Sequence, residues 1–294
     1  MAERPSFKYR ALSFFEARLS TPLAEQGHEK ARAVMRKSVA GPAFVFGRRP
    51  PLSSVRDEQL EGVAVRRYVP PAPKPGTLVF FHGGGWVLGD LDTHDVMTAE
   101  LSAATGREVV AVHYRLAPEH RYPAALDDCV AVTRAVAKGG GKVVVAGDSA
   151  GGNLAASVAQ RHAVDAQVLL YPVVDCAAES PSYDAFAEGL ILTRESMRYF
   201  HREYVPDVAR RAEPGCSPLR AESLKGLAPA YVLLAQCDVL RDEGRAYAKK
   251  LAEHGVEHVL DEVPGTVHGF LSMQGFPEAR DAVQRIAKWL EPKW

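Results

Sequence analysis

The chain has 294 residues, of which 47% are hydrophobic and 24% charged, and its 36 basic residues balance its 36 acidic residues. This composition is typical of a globular protein and excludes a disordered chain, which would combine low hydrophobicity with high net charge. It also lacks the basic excess by which proteins hold nucleic acid or an anionic membrane surface, so neither partner is predicted.

The first fifty residues show weak helical periodicity, which predicts helices over 7–19 and 24–40. After this segment, short apolar and mostly β-branched runs predict strands at 63–69, 77–81, 108–113, 142–146, 166–171, 230–235 and 258–263. Helical patterns lie between most of them, at 93–104, 124–138, 150–161, 242–254 and 278–290. We expect Asp92 to cap the first of these helices. This alternation predicts an α/β protein with a mostly parallel sheet and helices on both faces.

The alternation stops between residues 175 and 228, where about fifty residues separate two predicted strands. This segment contains one predicted helix, 193–204, among several prolines. An insertion of this length inside a compact domain is usually functional, for example as a lid over a site.

The four cysteines are Cys129, Cys176, Cys216 and Cys237, and no two form a Cys-x-x-Cys pair. Their spacing matches neither a zinc site nor a dense disulfide framework, so we expect free thiols, a reducing compartment and no metal. The N-terminal residues lack the apolar run of a secretory signal. No segment approaches the roughly 18 uninterrupted apolar residues of a membrane span. The sequence therefore predicts a cytoplasmic protein.

Residues 147–151 read Gly-Asp-Ser-Ala-Gly, between a predicted strand and a predicted helix. A serine at such a turn is typical of a nucleophile elbow, and glycines two residues to either side let the chain reverse without clashes. The following helix N-terminus adds positive potential for an anionic intermediate. A simple N-capping serine is the alternative, but both glycines and both flanking elements favour Ser149 as a nucleophile.

Residues 82–86, His-Gly-Gly-Gly-Trp, follow the predicted strand 77–81. A phosphate-binding loop is disfavoured because neither Gly-Lys-Ser/Thr nor Gly-x-Gly-x-x-Gly is present, and a glycine-rich turn without a ligand is the other alternative. The His-Gly-Gly-Gly pattern is typical of the loop that supplies oxyanion donors in α/β-hydrolases. We therefore predict an oxyanion hole from the N–H groups of Gly83, Gly84 and Ala150.

A serine nucleophile needs a histidine base, and in α/β-hydrolases the acid precedes the histidine along the chain. His254 and His258 lie at the end of a predicted helix and the start of a predicted strand, where we expect surface positions. His268 follows the last predicted strand in a loop that can reach Ser149. We therefore predict His268 as the general base.

The acid is expected at the end of the preceding strand, where Asp238 lies. Asp242 and Glu243 are rivals, but they begin a predicted helix, where the helix dipole favours acidic residues without any catalytic role. Asp238 is therefore predicted to hold His268 through its second ring nitrogen and to stabilise the imidazolium.

Together these motifs resemble the hormone-sensitive-lipase-like carboxylesterases, or bacterial family IV esterases, of the α/β-hydrolase superfamily. The resemblance covers roughly residues 75–290 and is carried, in the family's order, by residues 82–86, 114–125, 147–152, 238–244 and 268–270. It implies an eight-stranded, mostly parallel sheet and hydrolysis of short- to medium-chain acyl esters through an acyl-enzyme, without a cofactor. It also implies that residues 114–125 brace the oxyanion loop and the nucleophile elbow.

The resemblance further implies a helical cap made of residues 1–50 and an insertion at about 178–225, with residues 51–294 as the catalytic domain that carries the insertion. Val239 stands where the family often has proline, a change expected to alter the stiffness of the loop but not its charge. Candidate pocket walls are Trp86, Phe44, Phe186, Leu190 and Ile191, although such side chains more often belong to a core.

Three alternatives use the same motifs: an amidase or formamidase, a lipase for long acyl chains, and a non-enzymatic small-molecule receptor. Receptors on this fold typically lack a triad member, so the presence of Ser149, Asp238 and His268 favours an enzyme. A small ester is the predicted partner, and the sequence leaves open whether the protein forms a homodimer.

Overall fold

A computed structural model describes residues 4–19 and 23–294, with the backbone alone for 14–19, 23 and 24. Its strands form one eight-stranded sheet in the order β1-β2-β4-β3-β5-β6-β7-β8. The strands are β1 (Ser54–Leu60), β2 (Val63–Val69), β3 (Lys74–Phe81), β4 (Arg107–His113), β5 (Val143–Asp148), β6 (Ala166–Leu170), β7 (Ala230–Cys237) and β8 (His258–Val267). β2 is antiparallel to β1 and β4, and the other neighbouring pairs are parallel. The expected α/β-hydrolase sheet is confirmed.

Helices cover the sheet and extend over one end of it. They are α1 (Phe7–Leu19), α2 (Leu23–Gln26), α3 (His28–Val39), α4 (Ala43–Phe46), α5 (Asp95–Thr105), α6 (Ala124–Lys138), α7 (Ala150–Ala159), α8 (Ser182–Ala185), α9 (Arg194–Tyr204), α10 (Arg241–Glu253) and α11 (Pro277–Leu290). Helix α5 packs against α11, and α6 against α7, while α7 also contacts β5 and β6. All residues of β5 and α7 are buried, so the nucleophile candidate between them lies in the core of the domain. None of the described helices is both long and apolar enough to cross a membrane.

The first strand, β1, was not predicted. It is an edge strand that pairs with β2, and its sequence is largely polar because none of its residues is fully buried. A two-residue turn at Glu61 and Gly62, both with positive φ, joins β1 to β2. This turn type gives a tight hairpin, and the edge position explains why no apolar run marks the strand.

Two of the boundaries that differ from prediction have a local explanation. The predicted helix 24–40 is divided at Gly27, which has φ of 75° and lies outside the helical region. Asp92 does not cap α5, so that prediction was wrong. The helix begins after His94, and the Asp90 carboxylate instead accepts hydrogen bonds from the N–H groups of Asp92 and Thr93.

Candidate active site

The elbow around Ser149 is the sharpest turn of the site. β5 ends at Asp148 and α7 begins at Ala150, so Ser149 alone joins them, with φ of 56° and ψ of −119°. A Cβ atom at Gly147 would lie 2.2 Å from the Gly151 carbonyl oxygen. One at Gly151 would lie 1.9 Å from the Phe81 carbonyl oxygen. Only glycine fits at both positions, so the motif is required by the turn itself.

The three residues predicted as a triad are brought together in one hydrogen-bonded chain. His268 Nε2 lies 2.9 Å from Ser149 Oγ, and His268 Nδ1 lies 2.7 Å from Asp238 Oδ2. Asp238 follows β7 and His268 follows β8, so both side chains start at the carboxyl ends of adjacent parallel strands. The Leu240 N–H also donates to Asp238 Oδ1, at 3.0 Å. The carboxylate is thereby fixed in the orientation that the imidazole needs.

Burial isolates this chain from water. Ser149 and His268 are each 8% exposed, and Asp238 is 2% exposed. The ring of Tyr171 packs edge-on against His268, with centroids 4.9 Å apart. In such surroundings hydrogen bonds between charged and polar groups are stronger than in water.

The rival side chains have other partners. The Leu224 N–H donates to His254 Nδ1 at 3.3 Å, and His258 Nδ1 lies 3.0 Å from the Val256 carbonyl oxygen. Asp242 pairs with Arg245. Glu243 is buried, and its Oε1 accepts the N–H of Val174 at 2.7 Å.

The oxyanion loop differs from prediction at one residue. The Gly83 N–H donates to Asp148 Oδ1 at 2.8 Å, so it is not free for a ligand and its predicted role was wrong. The N–H groups of Gly84, Gly85 and Ala150 have no protein acceptor among the described residues. The free donors in the loop are therefore those of the second and third glycines, not the first and second. The sequence of three consecutive glycines cannot show which two N–H groups are free. The hydrogen bond from Gly83 to Asp148 identifies Gly84 and Gly85 as the free pair.

The glycines of this loop are fixed by close neighbours. Gly84 has φ of 116°, and a Cβ there would lie 2.4 Å from the Leu88 carbonyl oxygen. Gly85 has φ of 61°, and a Cβ there would lie 2.1 Å from Cγ of Phe200 in α9. The insertion thus contacts the loop directly.

Residues 114–125 brace the same loop, as the family resemblance implied. The Tyr114 hydroxyl donates to the His82 carbonyl at 2.7 Å, and the two rings stack with centroids 4.3 Å apart. The Ala117 N–H donates to the Trp86 carbonyl at 2.9 Å. Trp86 in turn stacks on Tyr204 of α9, with centroids 4.4 Å apart and planes at 7°. Together these contacts hold both ends of the glycine run.

The candidate pocket walls have different surroundings. Trp86 is fully buried in its stack with Tyr204, and Phe186 is 8% exposed. Phe44 is 74% exposed. Leu190 and Ile191 are partly buried against the core.

Two buried acids near the site have shifted pKa values. Burial raises the pKa of Asp148, but the charge and hydrogen bond of His94 outweigh burial, and the net shift is downward. Burial raises the pKa of Glu243 well above its usual range, and the nearby Asp175 and Asp238 carboxylates add to the shift. Asp148 is therefore held ionised and Glu243 protonated.

Among the described residues, no group of three or more His, Cys, Asp or Glu side chains is arranged to hold a metal ion. A polar depression of about 580 Å³ lies at the surface, lined by Arg49, Val55, Asp57, Arg66, Asp92 and Asp95. Its arginines pair with its aspartates, so the lining charges satisfy one another.

Comparison with known proteins places these features in a family. A family described as having the α/β-hydrolase fold matches residues 78–272. The carboxylesterase NlhH of Mycobacterium tuberculosis is 37% identical over 283 residues, covering 89% of this chain and 88% of its own. An ethyl acetate hydrolase of Pseudomonas putida is 37% identical over 235 residues, covering 74% of each chain.

Solved structures of esterases are similar to this chain over nearly its whole length. A thermostable esterase from Pseudomonas putida ECU1011 superposes with a TM-score of 0.90 at 34% identity, covering 99% of this chain and 98% of its own. An esterase from Pyrobaculum calidifontis gives a TM-score of 0.90 at 34% identity, covering 98% of each chain. The chain therefore belongs to the hormone-sensitive-lipase-like family of carboxylic ester hydrolases, within the α/β-hydrolase superfamily.

Proposed function

We propose that this protein is a serine carboxylesterase that hydrolyses short- to medium-chain acyl esters through an acyl-enzyme. The observation that carries the proposal is the continuous Asp238–His268–Ser149 hydrogen-bonded chain at the end of the sheet. A hydroxyl is a weak nucleophile until a base removes its proton, and this chain supplies a base already oriented by a carboxylate.

In the acylation step, Ser149 Oγ attacks the ester carbonyl carbon while His268 Nε2 takes the hydroxyl proton. The charge that develops on the carbonyl oxygen is stabilised by the N–H groups of Gly84, Gly85 and Ala150 and by the N-terminus of α7. Asp238 stabilises the imidazolium without taking its proton. The ester C–O bond then breaks, and the alkoxide leaves as the alcohol with the proton from His268.

Deacylation repeats these roles with water. His268 takes a proton from water as its oxygen attacks the acyl-enzyme carbonyl, and the same three N–H groups hold the second oxyanion. The bond to Ser149 Oγ breaks, and the serine recovers its proton from His268. The products are a carboxylic acid and a free enzyme, and the protein supplies every group that the cycle needs.

The proposed substrate class is supported by the name of one relative and by the burial of the site. The name of the Pseudomonas putida relative describes hydrolysis of ethyl acetate, a small uncharged ester. In this chain Ser149 is 8% exposed, and aromatic side chains of α9 pack on the oxyanion loop. An apolar, largely enclosed site favours small neutral esters over charged ligands.

We further propose that residues 1–50 and about 178–225 act as a cap on the catalytic domain of residues 51–294. Two contacts support this division. In the insertion, Phe200 and Tyr204 of α9 pack on Gly85 and Trp86. In the N-terminal segment, the Arg32 guanidinium donates to the Val87 carbonyl at 2.8 Å, just beyond the glycine run.

The proposal is tested by comparing wild type with Ser149→Ala on p-nitrophenyl butyrate. Removing the nucleophile is expected to lower kcat by at least about 10⁴-fold. A Ser149→Ala protein with wild-type activity would refute the mechanism. Panels of acyl esters from acetate to palmitate and of matching anilides separate an esterase from a lipase and an amidase. A wild-type protein that binds small esters but turns none of them over would be a receptor.

Two expectations from the sequence stay predictions. We propose a cytoplasmic location, to be tested by cell fractionation in the source organism. A homodimer would be detected by sedimentation of the purified protein.

A further inference from the structure

A buried histidine behind the oxyanion loop has a role that the triad does not account for. We propose that His94 is a positioning residue for ester hydrolysis, because as an imidazolium it pairs with Asp148 and so fixes the glycine loop against the nucleophile elbow. This inference rests on the proposed function.

Among the described residues, one hydrogen bond joins the oxyanion loop to the nucleophile elbow. Asp148 immediately precedes Ser149, and Gly83 immediately precedes the two free donors Gly84 and Gly85. The 2.8 Å bond from the Gly83 N–H to Asp148 Oδ1 therefore joins the nucleophile segment to the donor segment. A Cβ atom at Gly83 would lie 2.5 Å from Asp148 Oδ2, so the fit leaves no space for a shift. A tilt of the Asp148 carboxylate would move the donors relative to Ser149 Oγ.

A buried carboxylate of this kind needs a positive partner. Asp148 is 4% exposed, and an isolated charge at such a site would be strongly disfavoured. His94 Nε2 lies 3.4 Å from Asp148 Oδ1. His82 is the other nearby imidazole, but burial and the charge of His94 lower the pKa of His82 to about 3, so His82 is neutral. The counter-charge of Asp148 therefore comes from His94.

The hydrogen bonds of His94 allow it to be doubly protonated. The Thr93 hydroxyl donates to the Asp90 carbonyl at 2.9 Å and accepts the Asp90 N–H at 2.8 Å, which leaves one lone pair to accept a hydrogen from His94 Nδ1 at 2.9 Å. The second ring nitrogen, Nε2, lies 3.4 Å from Asp148 Oδ1, and in the proposed imidazolium it carries the proton that faces this carboxylate. The Gly83 nitrogen lies farther from this Nε2, at 3.2 Å, than from the carboxylate, so the carboxylate is its stronger acceptor.

The charge of His94 depends on pH in a defined direction. The titratable groups around it are Asp148 at the end of β5, His82 after β3, and Asp90 before α5, whose carboxylate pairs with Arg36 of α3. Burial lowers the pKa of His94, but the Asp148 charge and hydrogen bond outweigh burial, and the net pKa is raised. The His94 side of the ion pair is therefore fully charged below the ordinary imidazole pKa and is lost as pH rises through the raised pKa.

The test compares His94→Gln, His94→Phe and wild type on p-nitrophenyl butyrate. Losing one oxyanion donor costs about 100- to 1,000-fold in rate, and misplacing the loop should cost part of this. We expect kcat of His94→Phe to fall about 10- to 100-fold, with KM within about 2-fold, because the donors act on the transition state. His94→Gln should recover part of the loss, since its amide can still donate to Asp148. It should also lack the fall in kcat that we expect of wild type as pH rises through the raised pKa of His94.

Two further variants separate positioning from general destabilisation. His113→Gln is the matched control, because this nearby histidine contacts the His82 ring but has no hydrogen bond to Asp148 or Gly83 among the described residues. It should keep wild-type kcat and show the same fall in kcat with rising pH that we expect of wild type. The double variant His94→Gln with Asp148→Asn removes both charges and should exceed His94→Gln alone about 5-fold in kcat, since no buried charge is left unpaired.

Wild-type kcat and an unchanged pH profile in His94→Gln would overturn the inference. If His94→Phe fails to fold, the comparison of His94→Gln with wild type, in kcat and in the pH dependence of kcat, tests the role of His94 on its own. The two proposals fail separately: activity in Ser149→Ala refutes the proposed function, whereas an inactive Ser149→Ala beside fully active His94 variants refutes only the role of His94.

Discussion

Glu243 offers a test of the electrostatics that does not depend on activity. Its side chain is buried, Oε1 accepts the Val174 N–H, and Oε2 has no partner among the described residues. Burial raises its pKa well above the usual 4.5, so the folded protein holds it protonated where the unfolded chain has released the proton. The native state then binds more protons than the unfolded state, and this group lowers stability as pH rises above 4.5.

The size of the effect follows from linkage. One full proton of difference changes the free energy of unfolding by about 1.4 kcal/mol per pH unit. Because the unfolded chain still holds part of this proton at pH 5, the group contributes at most roughly 2.5 kcal/mol between pH 5 and pH 7. A neutral Gln at 243 keeps an oxygen for the Val174 N–H and has no proton to lose. We therefore expect the stability of Glu243→Gln relative to wild type to rise with pH over this range, by at most about 2.5 kcal/mol.

The assay is urea unfolding, followed by circular dichroism, at several pH values from 5 to 7. Glu253→Gln on the same helix is the control, because its side chain is 59% exposed and its ion pair with Lys249 is of the weak surface kind. The control should differ from wild type by a constant amount across the range. A constant difference for Glu243→Gln as well would show that the buried carboxyl is ionised and the reasoning wrong.

Three further variants test the proposed site. Asp238→Asn should lower kcat about 10⁴-fold on p-nitrophenyl butyrate, as loss of the orienting carboxylate does in serine hydrolases, and near-wild-type kcat would contradict its role. Gly85→Ala should lower kcat about 100-fold because its Cβ meets Phe200. The double variant Gly85→Ala with Phe200→Ala should regain part of this rate. Equal kcat values in the single and double variants would count against the clash. Tyr204→Ala should lower the free energy of unfolding, measured in urea, by about 3–5 kcal/mol, because it removes the stack on Trp86 and leaves a cavity. A loss below about 1 kcal/mol would show that the stack contributes little.

Much of the fold could be predicted because buried parallel strands are nearly continuous apolar runs. β3 to β8 were all indicated by such runs, and the positions of Ser149, Asp238 and His268 at strand ends followed from them. β1 was missed because an edge strand half in water has no such run. Its only signal was the turn at Glu61 and Gly62.

The local errors have a common physical cause. Asp92 and Gly83 were each assigned a role by residue type and position, and in both cases a neighbouring side chain changed the outcome. The Asp90 carboxylate accepts the N–H groups of Asp92 and Thr93, just before α5, and the Asp148 carboxylate accepts the Gly83 N–H. Such contacts depend on three-dimensional proximity, so a motif alone cannot predict them.

The central claim is that Ser149 is an activated nucleophile, and covalent labelling tests it most directly. Wild type would be treated with a fluorophosphonate probe, digested and analysed by mass spectrometry, with residual p-nitrophenyl butyrate hydrolysis measured in parallel. The proposed function predicts one phosphonylated residue, Ser149, with activity lost in proportion to labelling and no labelling of His268→Ala. An unlabelled Ser149 in an active protein, or labelling elsewhere that tracks the loss of activity, would contradict it.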